Sequence, residues 1–129
     1  MPTFTIETNV VTNEFRKRVA KKVSLWLYQQ QIPINHVMIK FYELGAEHVF
    51  SGPFPFHQFP GETEKERPFA FITCQVAQER PAQFRCELAH KLAEAIQPEI
   101  SYDRTFITFQ LVDPTHHFTG TALGKELSR

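Results

Sequence analysis

Glu14-Phe15-Arg16-Lys17-Arg18-Val19-Ala20-Lys21-Lys22-Val23 reads against Gln83-Phe84-Arg85-Cys86-Glu87-Leu88-Ala89-His90-Lys91-Leu92. Both stretches follow Phe-Arg-x-x-apolar-Ala-x-Lys-apolar, and Leu27 against Ile96 continues the match. Phe15, Val19, Val23 and Leu27 are spaced by four, as are Phe84, Leu88, Leu92 and Ile96. That spacing puts each set on one apolar stripe of an amphipathic helix. Asn13 and Pro81 suit the two helix starts. The chain therefore repeats itself once.

Strand patterns flank each helix. Phe4 and Ile6 alternate with Thr3, Thr5 and Glu7, and Val37 to Phe41 follows the first helix. Ala70 to Val76 precedes the second helix, and Phe106 to Val112 follows it. The order β-α-β occurs twice, which implies parallel pairing and a right-handed crossover within each unit. The expected fold is α/β (α+β): tandem units form one four-stranded mixed sheet with both helices on one face. The chain divides into a first half over 2–44, a connecting loop over 45–68, a second half over 69–112 and a tail over 113–129.

In this arrangement Val37, Ile39, Phe41, Ile107, Phe109 and Leu111 face the helices. Met38, Tyr42, Phe71 and Phe106 face the other way, and so much apolar surface is not left in water. Other subunits are expected to cover it; the alternative cover is the connecting loop. That loop holds Phe50-Ser51-Gly52-Pro53-Phe54-Pro55-Phe56-His57-Gln58-Phe59-Pro60-Gly61 and then the charged run Glu62 to Arg67. It is long and too aromatic for a solvated linker, so it reads as an interface or site element.

The 129 residues carry 14 basic and 14 acidic side chains, for a net charge of zero. A global positive field for nucleic acid or an anionic membrane is excluded. No apolar run is long enough to span a bilayer, and no basic-then-apolar leader opens the chain, so a cytoplasmic protein is expected. Cys74 and Cys86 read as buried structural thiols. The six histidines show no metal-ligand spacing, and no glycine-rich phosphate loop is present. No metal or cofactor is expected.

Pro2 is the first residue with distinctive chemistry. Initiator Met before a small residue is normally removed, which leaves a secondary amine on a rigid ring directly before a strand. An α-amino group titrates at about 7.7 to 8.0, and burial or a nearby cation moves it lower. Such a base takes a proton from carbon next to a carbonyl and returns it elsewhere.

Met-Pro followed at once by a strand and two β-α-β units resembles the tautomerase superfamily. The resemblance runs from Pro2 to Val112 and includes the duplication. Phe71-Ile72-Thr73-Cys74-Gln75-Val76-Ala77-Gln78-Glu79-Arg80 through Leu92 is similar to the second strand-to-helix segment of its dehalogenase-type members. The resemblance implies a homotrimer, sites near subunit boundaries and Pro2 as catalytic acid or base on a small carboxylate or keto substrate. It implies Arg80 as a carboxylate-binding residue, while Ala77 stands where a second arginine is expected. It matches Phe106 to an aromatic wall and Thr108 to a polar partner two residues on. Tyr28 is a candidate hydrogen-bond donor, and Phe54 and Phe56 are candidate wall residues.

The expected activity is keto-enol tautomerisation of a small α-keto acid. A Pro-dependent hydratase or dehalogenase is the enzyme alternative; Ala77 and the tail Thr115-His116-His117-Phe118-Thr119-Gly120 lack the residues that reaction requires. The non-enzyme alternative rests on Arg67-Pro68-Phe69-Ala70-Phe71-Ile72-Thr73-Cys74, which partly resembles an RNA-recognition motif.

Overall fold

The computed structural model of the chain describes residues 2–56 and 67–127. Its main sheet holds β1 (Thr3–Thr8), β2 (Met38–Glu43), β5 (Ala70–Ala77) and β6 (Thr105–Val112) in the order β2-β1-β5-β6. β1 pairs parallel with β2, β5 pairs parallel with β6, and the halves meet where β1 and β5 run antiparallel. A two-stranded ribbon, β3 (Phe50–Ser51) and β4 (Phe54–Pro55), lies in the connecting loop.

The helices α1 (Asn13–Gln29) and α2 (Ala82–Ala95) connect the parallel pairs. All eight stripe residues are buried, with Ile96 just past the end of α2. They pack against Phe4 and Ile6 of β1 and Ile72, Cys74 and Val76 of β5 in one core. Asn13 begins α1, but the cap is Thr12, whose hydroxyl accepts from the Phe15 amide at 3.3 Å. Arg18 of α1 binds Glu99 beyond α2 through two bonds of 2.7 Å, which ties the two halves together.

α1 ends in a motif that matters for the site. The Gln31 amide donates to Tyr28 and the Ile32 amide to Leu27, both at 3.0 Å. These two bonds, with Leu27 and Ile32 buried together, form a Schellman stop. Its left-handed position is held by Gln31, at φ 65°, rather than by glycine. That costs roughly 1 kcal/mol.

Met38 and Tyr42 are exposed on the outer sheet face, as expected. The loop covers one end of that face. Phe56 is buried and packs on Phe69, Phe71 and Phe106, with ring centroids 5.3, 6.1 and 6.2 Å away. Phe71 and Phe106 stack at 4.9 Å. So the loop covers the aromatic end, and the rest of the face is open in one chain. The loop residues His57 to Glu66 lie outside the described residues.

Leu111 pairs with the buried Val76 and so lies on the helix side as expected, but on the edge strand β6 it is 50% exposed. The expectation of a buried Cys86 fails: it is exposed on α2, two residues from both Phe84 and Leu88 and so on the face opposite the buried stripe, while Cys74 is buried. The tail carries an unanticipated helix, α3 (Gly120–Leu127), whose described side chains are exposed. No helix among the described residues is long and apolar enough to cross a membrane.

Candidate active site

Pro2 is buried at the start of β1, where its carbonyl accepts from the Met38 amide at 3.1 Å. It shares the parity of Phe4 and Ile6, so its ring lies on the helix side of the sheet. There it lines a cavity of about 260 Å³ with Gln31, Ile32, His36, Ala77 and Arg80. The Schellman stop and Pro33 supply one wall. The turn from β5 into α2 supplies the other, fixed by the Arg80 amide donating to the Ala77 carbonyl at 3.2 Å.

Arg80 is half-buried, with its guanidinium 5.0 Å from the Phe84 ring centroid. Stacking on Phe84 orients the planar fork and leaves its edge available for a carboxylate. The cavity thus joins a strand-starting proline, an oriented cation and apolar walls from Ile32, Val76 and Phe84.

The other sequence candidates lie elsewhere in the chain. Phe106 pairs with Phe71, five positions along β5 from the cavity residue Val76. At about 3.3 Å per residue that is roughly 16 Å. Phe56 joins Phe106 there, and Phe54 is exposed nearby on the ribbon. Thr108 is exposed on the outer face. Tyr28 is 61% exposed and does not line the cavity. One chain therefore unites Pro2 with Arg80 and gathers the aromatic candidates at the opposite end of the sheet. Removal of Met1 concerns a residue outside those described.

Sequence reasoning missed Gln31 and His36. The signal was Pro33, which lies four residues past the end of α1 and itself lines the cavity. It also missed Arg104, buried at 4% exposure with its guanidinium 4.0 Å from the Phe56 ring centroid. That places a cation inside the aromatic end. Among the described residues no cluster of His, Cys, Asp or Glu fits a metal ion. Burial pushes the Cys74 thiol up to about 12, so it is no nucleophile.

No protein-family model and no curated protein matches the sequence. Solved structures do match the fold. A native fused 4-OT superposes with a TM-score of 0.75 at 14% identity, covering 98% of this chain and 99% of its own. A malonate semialdehyde decarboxylase inhibited by 3-bromopropiolate gives 0.69 at 13%, covering 98% of each chain. A macrophage migration inhibitory factor from Toxoplasma gondii gives 0.64 at 20%, covering 92% of this chain and 96% of its own. Duplicated β-α-β units, the β2-β1-β5-β6 sheet and near-complete coverage at these scores give this chain the fold shared by these three proteins.

Proposed function

We propose that this chain is a homotrimeric tautomerase in which Pro2, freed of Met1, is the general acid and base for small α-keto acids. The observation that carries the reading is the burial of Pro2 in a cavity it shares with Arg80. A secondary amine there is surrounded by Ile32, Val76 and Phe84 and faces a cation. Both circumstances disfavour its ammonium form and keep it a base near neutral pH.

The substrate carboxylate pairs with Arg80, which sets the carbon next to the carbonyl against the Pro2 nitrogen. The nitrogen takes the proton from that carbon, and the C–H electrons move through the new carbon-carbon double bond onto the carbonyl oxygen. The protonated nitrogen then returns the proton to that oxygen. The reverse course converts enol to keto.

The trimer completes the site. One of the structural neighbours is described as a symmetric trimer of a fused 4-OT. The outer face here exposes Met38 and Tyr42, apolar area that a neighbouring copy would cover. In such an assembly the Phe106 end of one copy serves as the aromatic wall for the Pro2 of the next. Ala77, where the dehalogenase-type pattern has an arginine, disfavours the hydratase or dehalogenase reading. Phe56 already packs on Phe71 and Phe106, which disfavours base stacking there.

The test is Pro2→Ala beside the wild type, with intact masses checked for loss of Met1. On phenylpyruvate enol, kcat/KM falls roughly a hundredfold or more in the variant. Equal turnover by both proteins overturns the proton-shuttle role.

A further inference from the structure

A second cavity opens on the outer side of the same strand ends. It holds about 240 Å³ and is lined by Thr3, Gln75, Ala77, Pro114, His116 and His117, with Val112. Val76 points to the helices and is buried, whereas Gln75 is exposed on the outer face. The two cavities therefore flank the sheet, and Ala77, the last residue of β5, lines both. Its side chain ends at Cβ, so at this strand end only main chain and a methyl group stand between the two volumes.

The tail is held there by specific bonds. The Gln78 amide donates to the Val112 carbonyl at 3.0 Å. Asp113 Oδ1 accepts from the Thr115 amide at 2.9 Å and from its hydroxyl at 2.8 Å, which fixes the turn that carries His116. These bonds hold the Asp113 carboxyl below the usual carboxylate range. Gln75 Nε2 donates to Gln110 Oε1 at 3.1 Å, which restrains that amide.

We propose that the two cavities act as one bipartite site for an α-keto acid with a hydroxylated tail. This rests on the Pro2 reading for the head group: the keto-acid end sits at Pro2 and Arg80. The tail passes Ala77 and meets Thr3, Gln75, His116 and His117. A hydroxyl, an amide and an imidazole each offer donors and acceptors, as tail hydroxyls do. No Lys, Arg, Asp or Glu lines the second cavity, so a tail carboxylate would enter without a permanent counter-charge. An apolar tail would strip water from these groups and leave them unpaired.

The experiment compares four α-keto acids by binding calorimetry and by deuterium exchange at the carbon beside the carbonyl, followed by proton NMR. They are short α-ketobutyrate and three of equal longer length: α-ketohexanoate, α-ketoadipate and a ketodeoxygluconate. The wild type binds and exchanges the hydroxylated acid about tenfold better than the other long acids. The paired substitutions His116→Ala and His117→Ala bring the three long acids within about twofold of one another. Ala77→Leu lowers the ratio of long to short substrates by about tenfold, with an unchanged melting temperature showing that it folds. Equal binding of the three long acids, preference for α-ketoadipate, or a ratio indifferent to Ala77→Leu overturns the bipartite site. If no acid exchanges but the binding preference holds, the Pro2 reading fails and the bipartite site stands.

Discussion

The Met38 amide donates to the Pro2 carbonyl at 3.1 Å, so the hydrogen-bond ladder between β1 and β2 begins at the residue that lines the cavity. The sheet fixes the carbonyl of Pro2, the five-membered ring ties its nitrogen to that backbone, and burial fixes the ring. Little conformational freedom remains to be lost when a substrate is seated, which is the preorganisation a proton-transfer site requires.

Arg80 gives the first prediction. A guanidinium that pairs with a substrate carboxylate contributes about 1.5–3 kcal/mol, so Arg80→Ala raises KM for phenylpyruvate roughly 10- to 100-fold and changes kcat less. Arg80→Lys recovers part of this, because an ammonium keeps the charge but loses the fork and its stacking on Phe84. Steady-state kinetics with melting temperatures separate lost binding from lost packing. An unchanged KM in Arg80→Ala would remove Arg80 from the substrate.

Sharing of the site between copies gives the second. If the wall at Pro2 is Phe106 of a neighbour, then Pro2→Ala and Phe106→Ala homotrimers are each impaired for different reasons. Unfolding and refolding an equal mixture creates sites with both residues intact, about a quarter of the total for random assembly. Activity rises in the refolded mixture above the mean of the two parents. Phe106→Leu, which preserves more of the packing on Phe71, serves as the second variant. No rise with either pair means that Phe106 does not complete a neighbour's site.

The fold was legible because its signals are local and doubled. Four apolar residues at a spacing of four, twice, leave few ways to bury the helices, and the strands around them follow. The site was only half legible. Pro2 and Arg80 lie at chain positions whose places in the fold follow from the repeat. Gln31 and His36 depend on a Schellman stop in which Gln occupies a left-handed position normally given to glycine, so no glycine marked it. Arg104 was missed because a buried arginine against a phenylalanine ring has no sequence signature. Cys86 was misplaced because a cysteine says little about which helix face it occupies.

Thr8 gives the third prediction. It is 1% exposed, and its hydroxyl donates to the Phe69 carbonyl at 2.6 Å and accepts from the Val10 amide at 3.1 Å. The first bond joins the end of β1 to Phe69 at the entry of β5, whose ring packs on Phe56, and the second closes the turn after β1. Thr8→Val keeps the shape but takes the partner from the buried Phe69 carbonyl and from the half-buried Val10 amide, which costs about 1–3 kcal/mol. Urea unfolding shows a lower midpoint with an unchanged slope. A midpoint equal to that of the wild type would mean that water replaces both bonds.

The pair between the two halves makes stability depend on pH. The hydrogen bonds from Arg18 hold the Glu99 carboxyl below its ordinary value, and the two side chains are 29% and 31% exposed. A folded value below the unfolded one binds protons less readily. The pair therefore stabilises the fold above the ordinary carboxylate range and loses that contribution as pH falls through the lowered value. Glu99→Gln, which cannot ionise, is less stable than the wild type at neutral pH by up to about 1 kcal/mol. The gap closes on acidification, and in high salt it narrows at neutral pH because screening weakens the pair. Urea midpoints of both proteins across the acid range check this. A gap that is constant with pH would assign the stabilisation to packing of the Glu99 side chain rather than to its charge.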